Sequence, residues 1–351
     1  MKLTGLLQRA WLERGALATF LLPPALLFAW LAALRRTLYR CGILKNWRLS
    51  LPVIVVGNIT AGGSGKTPLT LWLVARLRQC GLNPGVVSRG HGGAGKVREV
   101  LVDSDAAVVG DEPLMIRRRM AIPVFVGHDR VAAARALIGA YPGCDLIVSD
   151  DGLQHYRLAR DLEIAVVDAR GLMNGWLLPA GPLREPSSRL ALVDALVLND
   201  FQATLPADAG GAPRFRMCLR GDIFHALADP QRTCSADALA GLHLAAIAGI
   251  GDPQRFFAHL TALGLSFAPR AFPDHHRYCV ADLAKIEGDA LLMTEKDAVK
   301  CAGLTDRPVW VLPVTAQVEP DLAALVMEKL YGPTPARNTR LSCLQGSSRL
   351  P

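Results

Sequence analysis

The chain has 351 residues, 51% hydrophobic and 20% charged, which is enough for two domains with cores of their own and too apolar for a disordered chain. Its net charge of +8 is concentrated in residues 1–48, where eight basic residues stand against Glu13 alone and carry all but one unit of the excess. A nearly neutral body argues against a nucleic-acid groove running across the fold. Eight cysteines without a single C-x-x-C pair argue against zinc and against a disulfide scaffold, and point to a reducing compartment.

In chain order, residues 15–34 (GALATFLLPPALLFAWLAAL) come first, an uncharged run of about the length that crosses a hydrocarbon core. Pro23 and Pro24 fall in mid-run, so a kinked or half-inserted segment is expected as readily as a true span. A buried core helix is the plainer alternative. No small-residue cleavage site follows, which argues against a signal peptide. Basic residues on both sides favour an anionic lipid surface, and the basic C-terminal flank places the body on the cytoplasmic side.

Beyond this arm the pattern alternates between strand and helix. The apolar run PVIVVGN (52–58) leads into glycines and then into TPLTLWLVARLRQC (67–80), whose Leu69, Leu73 and Leu77 share one helical face. Further short apolar runs follow at 85–88, 122–127, 145–150, 163–169 and 194–199, with a helical stretch at 130–141. This spacing predicts a parallel sheet covered by helices on both faces. The Pro- and Gly-containing stretch 202–214 reads as a boundary. We therefore expect a membrane-associated segment at 1–48, a larger α/β domain at 49–203 that carries the glycine-rich loop, a smaller α/β domain at 204–331, and a tail at 332–351 whose lack of periodicity predicts disorder. Nothing in the chain calls for an obligate protein partner.

The loop between the first strand and helix, GNITAGGSGKTP (57–68), nearly matches G-x-x-x-x-G-K-[ST], except that Thr60 stands where the first glycine belongs. A phosphate cradle needs convergent backbone N–H groups at a helix N-terminus, a lysine for charge and a hydroxyl for Mg²⁺. Gly62, Gly63, Gly65, Lys66 and Thr67 supply these; a plain glycine-rich turn is the alternative. Three weaker stretches accompany it. Asp150 and Asp151 end the strand 145–150 and read either as carboxylates for a metal or as a turn. Asp111 in GDEPLM (110–115) reads as a helix N-cap or a functional acid, and His275 and His276 lie beside Asp274 in FPDHHRY (272–278).

Together with VVSRGHGG, SDDGLQHYRL, NGWLLPAGPLREP, AGIGDPQRFF and MTEKDAVK, these stretches resemble the tetraacyldisaccharide 4'-kinases, which phosphorylate the lipid A precursor. The resemblance runs from the N-terminal apolar segment to about residue 330. That family's loop also lacks the first glycine, so Thr60 is no obstacle to nucleotide binding. The resemblance implies a P-loop NTPase-like fold, ATP and Mg²⁺ as cofactors, a lipid disaccharide 1-phosphate as substrate and a place on the cytoplasmic face of the bacterial inner membrane. By the same resemblance, Thr60, Ala61, Gly62, Gly63, Ser64 and Gly65 wrap the phosphates and Lys66 bridges the β- and γ-phosphates. Thr67, Asp150, Asp151 and Glu185 surround the metal, and Arg184 steadies the γ-phosphoryl group. Asp111 and His275 form the base dyad, which places the active site between two domains. Gln154 and His155 would orient other groups, and His276 carries no role. At position 91 the chain has His where the family commonly has Tyr.

Two other classes fit less well. A GTPase or metallochaperone switch would read guanine through [NT]-K-x-D, but TEKD (294–297) has Glu295 where the lysine belongs. A transport ATPase would need a signature of the LSGGQ kind, which the chain lacks.

Overall fold

The computed structural model describes residues 9–90, 95–200, 203, 205 and 209–332. His91, residues 202, 204 and 206–208 of the expected boundary stretch, and the expected tail beyond Gly332 lie outside the described residues.

The chain folds into two α/β units. The larger sheet orders its strands β15-β8-β7-β6-β1-β5-β2-β4-β3. In chain order these are β1 (Val53–Gly57), β2 (Pro84–Ser88), β3 (Arg98–Glu99), β4 (Val124–Val126), β5 (Leu146–Asp150), β6 (Leu162–Asp168), β7 (Ala195–Asn199), β8 (Arg214–Arg220) and β15 (Thr315–Glu319). All pairings are parallel except those of β3 with β4 and β15 with β8, at the two edges. Strand β1 is central, in parallel register with both β5 and β6, and buried throughout. Its continuous β-branched run follows from that position, because both of its faces are covered. Ile54 and Val56 pack with Leu69, Leu73 and Leu77 of helix Lys66–Gln79. Val53 and Val55 pack on the opposite side with Val131 and Leu137 of helix Arg130–Ala140, which Asp129 caps at Val131 N (3.0 Å).

The smaller sheet has the order β10-β9-β14-β13-β11-β12. Its strands are β9 (Ile223–Ala226), β10 (Thr233–Ser235), β11 (Leu244–Ala248), β12 (Phe267–Ala271), β13 (Ala290–Thr294) and β14 (Val309–Leu312). Here the expected division at 203/204 needs correction. Strand β8 joins β7, β15 returns to pair with β8, and Leu322 and Val326 of the last helix sit in the larger core. The second unit is thus an excursion from the first sheet, spanning β9 to β14.

The N-terminal arm forms two helices, Ala16–Phe20 and Leu22–Arg40. The break falls at Leu21, and Pro23 and Pro24 lie in the first turn of the second helix, where a missing N–H costs little. Among the described residues no helix is long and apolar enough to cross a membrane. Leu26, Leu27, Trp30 and Leu31 are nonetheless exposed. The arm is anchored to the body: Trp11 Nε1 donates to Pro179 O, Arg14 Nε donates to Asn174 O (both 3.0 Å), and Tyr39 packs on Tyr156.

Candidate active site

The glycine-rich loop leaves the carboxyl end of β1, the edge at which open α/β sheets bind ligands. Its shape is fixed from inside by Asn58, whose buried Nδ2 donates to Ser64 Oγ (2.9 Å) and Thr60 Oγ1 (3.3 Å). Asn199, at the end of β7, donates to Ser64 O at 2.9 Å. Gly65 precedes the helix at φ +90°, and a Cβ there would stand 2.2 Å from Asn199 Nδ2, so no other residue fits. Thr60 bridges to Leu183, while Ala61 N donates to Pro182 O (2.8 Å) and Arg184 N to Ile59 O (2.6 Å). Thr60, which breaks the expected glycine pattern, therefore pairs with the strand-like segment that brings Arg184 beside the loop.

Around the start of helix Lys66–Gln79 the structure gathers three of the expected charges. Lys66 Nζ lies 3.6 Å from Asp151 Oδ1, and Arg184 Nη1 is 3.3 Å from the same carboxylate. Burial would raise the Asp151 pKa, but Lys66, Arg184 and Arg130 outweigh it and hold the carboxyl below its ordinary range. Asp150 behaves oppositely. It is completely buried, its Oδ1 accepts from Thr70 Oγ1 (3.1 Å), and its Oδ2 has no hydrogen-bond partner. Burial first, then Glu112 and Asp151, push it up to about 7. Asp151 itself adopts φ 50°, a left-handed conformation that turns the chain sharply after β5.

Glu185 is not brought into that group. Gln154 Nε2 (2.9 Å) and the Tyr156 hydroxyl donate to it, with Arg189 (3.5 Å) and Arg36 of the N-terminal arm (3.8 Å) alongside. Among the described residues no three His, Cys, Asp or Glu side chains gather closely enough to hold a metal ion. Thr67 is buried at the loop's end. Gln154 also donates to Asn58 O (2.9 Å), so it links Glu185 to the loop. His155 is pushed down to about 4 by burial and Arg130, and stays neutral.

The remaining pair comes together across the two units. Asp111 is the first residue of helix Asp111–Met120 and not its N-cap, a position taken by Gly110. His275, at φ 58° in the loop after β12, places Nδ1 3.0 Å from both carboxylate oxygens of Asp111. Burial would raise the Asp111 pKa, but the His275 hydrogen bond, Lys296 and Lys300 carry it far down. Burial would lower that of His275, yet the bond to Asp111 leaves it raised.

Two lysines to which the sequence assigns no role complete the cluster. Lys296 Nζ stands 3.0 Å from Glu112 Oε1, 3.0 Å from Asp274 Oδ1 and 3.3 Å from His275 Nε2. Lys300 Nζ lies 3.5 Å from Asp111 Oδ2 and 3.2 Å from Asp297 Oδ1. Both lie in MTEKDAVK, a stretch that carries the family resemblance but assigns no role to either lysine. A pocket of about 310 Å³ opens beside the pair, lined by Asp105, Asp111, His275, Arg277, Tyr278 and Lys300 among others. The second unit also reaches the glycine-rich loop. Gly251 packs so closely on Gly63 that a Cβ would stand 2.9 Å from Gly63 N, and Arg255 Nη2 donates to Asn199 Oδ1 (3.0 Å).

Comparison with known proteins gives a consistent result. The family model described as tetraacyldisaccharide-1-P 4'-kinase matches residues 17–331. A protein of Azoarcus sp. (strain BH72) named tetraacyldisaccharide 4'-kinase is 54% identical over 328 residues, covering 93% of this chain and 96% of its own length. A protein of Dechloromonas aromatica (strain RCB) with the same name is 51% identical over 331 residues, covering 93% and 97%. Among solved structures, the apo form of LpxK from Aquifex aeolicus in complex with ATP is similar with a TM-score of 0.75 and 30% identity, covering 90% of this chain and 100% of that one.

Proposed function

The chain belongs to the tetraacyldisaccharide-1-P 4'-kinase family, whose activity is ATP-dependent 4'-phosphorylation of a tetraacyldisaccharide 1-phosphate in lipid A biosynthesis, and we propose that it performs this transfer in the cleft between its two units. The observation that carries the assignment of the site is the 3.0 Å contact between Asp111 and His275, residues 164 positions apart on different units and on the side of the fold where the glycine-rich loop lies.

In this reading the loop residues 60–65 offer backbone N–H groups to the phosphates at the helix N-terminus, and Lys66 leaves Asp151 for the β- and γ-oxygens. Arg184, fixed beside the loop by the Thr60–Leu183 bridge, faces the γ-phosphoryl group as charge develops on it. His275 gives its Nδ1 proton to the hydrogen bond with Asp111, so Nε2 is the acceptor for the 4'-hydroxyl proton. As that proton moves to the imidazole, the sugar oxygen bonds to the γ-phosphorus, the bond to the departing oxygen breaks and ADP leaves. The Asp111 carboxylate stabilises the imidazolium formed.

The donor set suits a Mg²⁺ ion that keeps most of its shell from phosphate and water. Asp150 Oδ2 is a buried acceptor without a donor, and its neighbours Asp151 and Glu112 crowd it with negative charge. Thr67, Asp150 and Asp151 would hold such an ion. Glu185, tied to Gln154, Tyr156 and Arg189, would instead brace the loop segment carrying Arg184. The ion, when bound, neutralises charge on the transferring phosphoryl oxygens. Incubation with Mg-ATP and a lipid disaccharide 1-phosphate should yield a product carrying new phosphate at the 4' position. Phosphate found elsewhere on the sugar, or only released as inorganic phosphate, contradicts the assignment.

We further propose that the arm rests on the cytoplasmic face of the inner membrane, with Leu26, Leu27, Trp30 and Leu31 entering the lipid interface beside Arg35 and Arg40. Replacing those four apolar residues by serine is expected to cut binding to anionic vesicles by at least about 10-fold, since full burial of even one such side chain is worth roughly 1.5–3 kcal/mol. Turnover of detergent-dispersed substrate should change little. Unchanged sedimentation with vesicles at low and high salt would place the attachment elsewhere.

A further inference from the structure

Lys296 stands on the helical turn Glu295–Ala298 that follows β13, on the opposite unit from Asp111 and Glu112. Its ammonium is mostly buried and has three neighbours at hydrogen-bonding distance: Glu112 Oε1, Asp274 Oδ1 and His275 Nε2. Burial works against its charge, but Glu112, Asp111 and Asp274 hold it protonated well above the ordinary lysine range. An ammonium has only donors to offer. The nitrogen facing it at 3.3 Å must therefore accept, which leaves the imidazole proton on Nδ1, where Asp111 accepts it at 3.0 Å. Two contacts on opposite sides of one ring thus demand the same tautomer.

We propose that Lys296 is the positioning residue of the dyad: it fixes His275 as the Nδ1–H tautomer and keeps Nε2 an acceptor until the sugar hydroxyl takes the ammonium's place. This rests on the reading of Asp111 and His275 as the base and adds what prepares it. When Nε2 gains the hydroxyl proton, the imidazolium repels the ammonium, and Glu112 and Asp274 are already in place to retain it.

The charges acting on His275 are Asp111 from helix Asp111–Met120, Asp274 from its own loop and Lys296 from the turn after β13, while Glu112 pairs with Lys296 and Lys300 with Asp111 behind them. Of these, Lys296 opposes protonation at the nitrogen that must stay free. Removing it makes the imidazole easier to protonate, so the acidic limb of the kcat profile moves to higher pH.

The test combines NMR and kinetics on the full chain. In wild-type protein labelled with ¹⁵N-histidine, the His275 resonances, identified by their loss in His275→Ala, should show the Nδ1–H tautomer above the titration point. An Nε2–H tautomer in the wild type overturns the proposal without any variant at Lys296. In Lys296→Met the acidic limb should rise by about half a pH unit to one unit and the tautomers should mix, while the KM for ATP stays within about twofold. Lys296→Arg should restore the limb. If the limb and the tautomer are both unmoved in Lys296→Met, Lys296 does not position the ring. If instead His275→Ala turns over like wild type, the base reading itself fails; the NMR result then still decides whether Lys296 sets the tautomer.

Discussion

Lys66→Ala is expected to lower kcat by about 10²- to 10³-fold, the loss typical of removing one preorganised donor from developing phosphoryl or oxyanion charge. The fold should survive. Lys66 lies 3.6 Å from Asp151, and that carboxylate keeps Arg184 at 3.3 Å when the lysine is gone. The pair is largely buried, but Asp151 keeps Arg184 and Arg130 as counter-charges, so no buried charge is left unpaired and the loss of stability should be small. Single-turnover phosphoryl transfer and a urea titration separate the two effects. Turnover within a few fold of wild type would remove the glycine-rich loop from the chemistry; a collapse of the urea midpoint would show that Lys66 serves packing.

The second large effect concerns the dyad. Asp111→Asn and His275→Ala should each lower kcat by about 10²- to 10⁴-fold, the range for a general base, with ATP affinity spared. The double variant should be little worse than the poorer single, because groups that act as a unit are non-additive. Fully multiplicative losses would mean independent roles. The pH profile supplies an independent check. The base acts as neutral imidazole, so the rate falls as pH drops through the His275 titration, which Asp111 raises above the ordinary histidine value. Asp111→Asn removes the carboxylate responsible for that increase, so its acidic limb should move to lower pH even though its plateau is low. An acidic limb that does not move would mean that a group other than His275 controls the profile.

The two substitutions around one imidazole therefore displace the same limb in opposite directions, Lys296→Met upward and Asp111→Asn downward. A purely structural role for either residue gives no reason for opposite signs.

What the sequence alone determined is what depends on neighbours along the chain. The apolar run of β1, the glycine-rich turn and the helix with Leu69, Leu73 and Leu77 on one face are written within residues 53–79, and the structure forms strand and helix within a residue or two of expectation. The strands at β2, β4, β5, β6 and β7 were legible for the same reason, since buried parallel strands are continuous apolar runs. The family too was legible, because its stretches occur in order. The tertiary structure alone decided the partners. The edge strand β15 and its neighbour β8 are half-exposed and have weak patterns, and nothing local says that β15 returns past six other strands to pair with β8, which is why the domain boundary falls later in the structure than the sequence pattern suggests. Strand-end carboxylates look alike in sequence, yet depth and neighbours split them: Asp150 is fully buried with its Oδ2 unbonded, Asp151 faces Lys66 and Arg184, and Glu185 belongs to a network reaching the N-terminal arm. Lys296 shows the limit most plainly. In the sequence it is one lysine in TEKD; only the packing of β13's following turn against the Asp111 helix sets its ammonium at His275 Nε2, because electrostatic contacts depend on distance through space and not on separation along the chain.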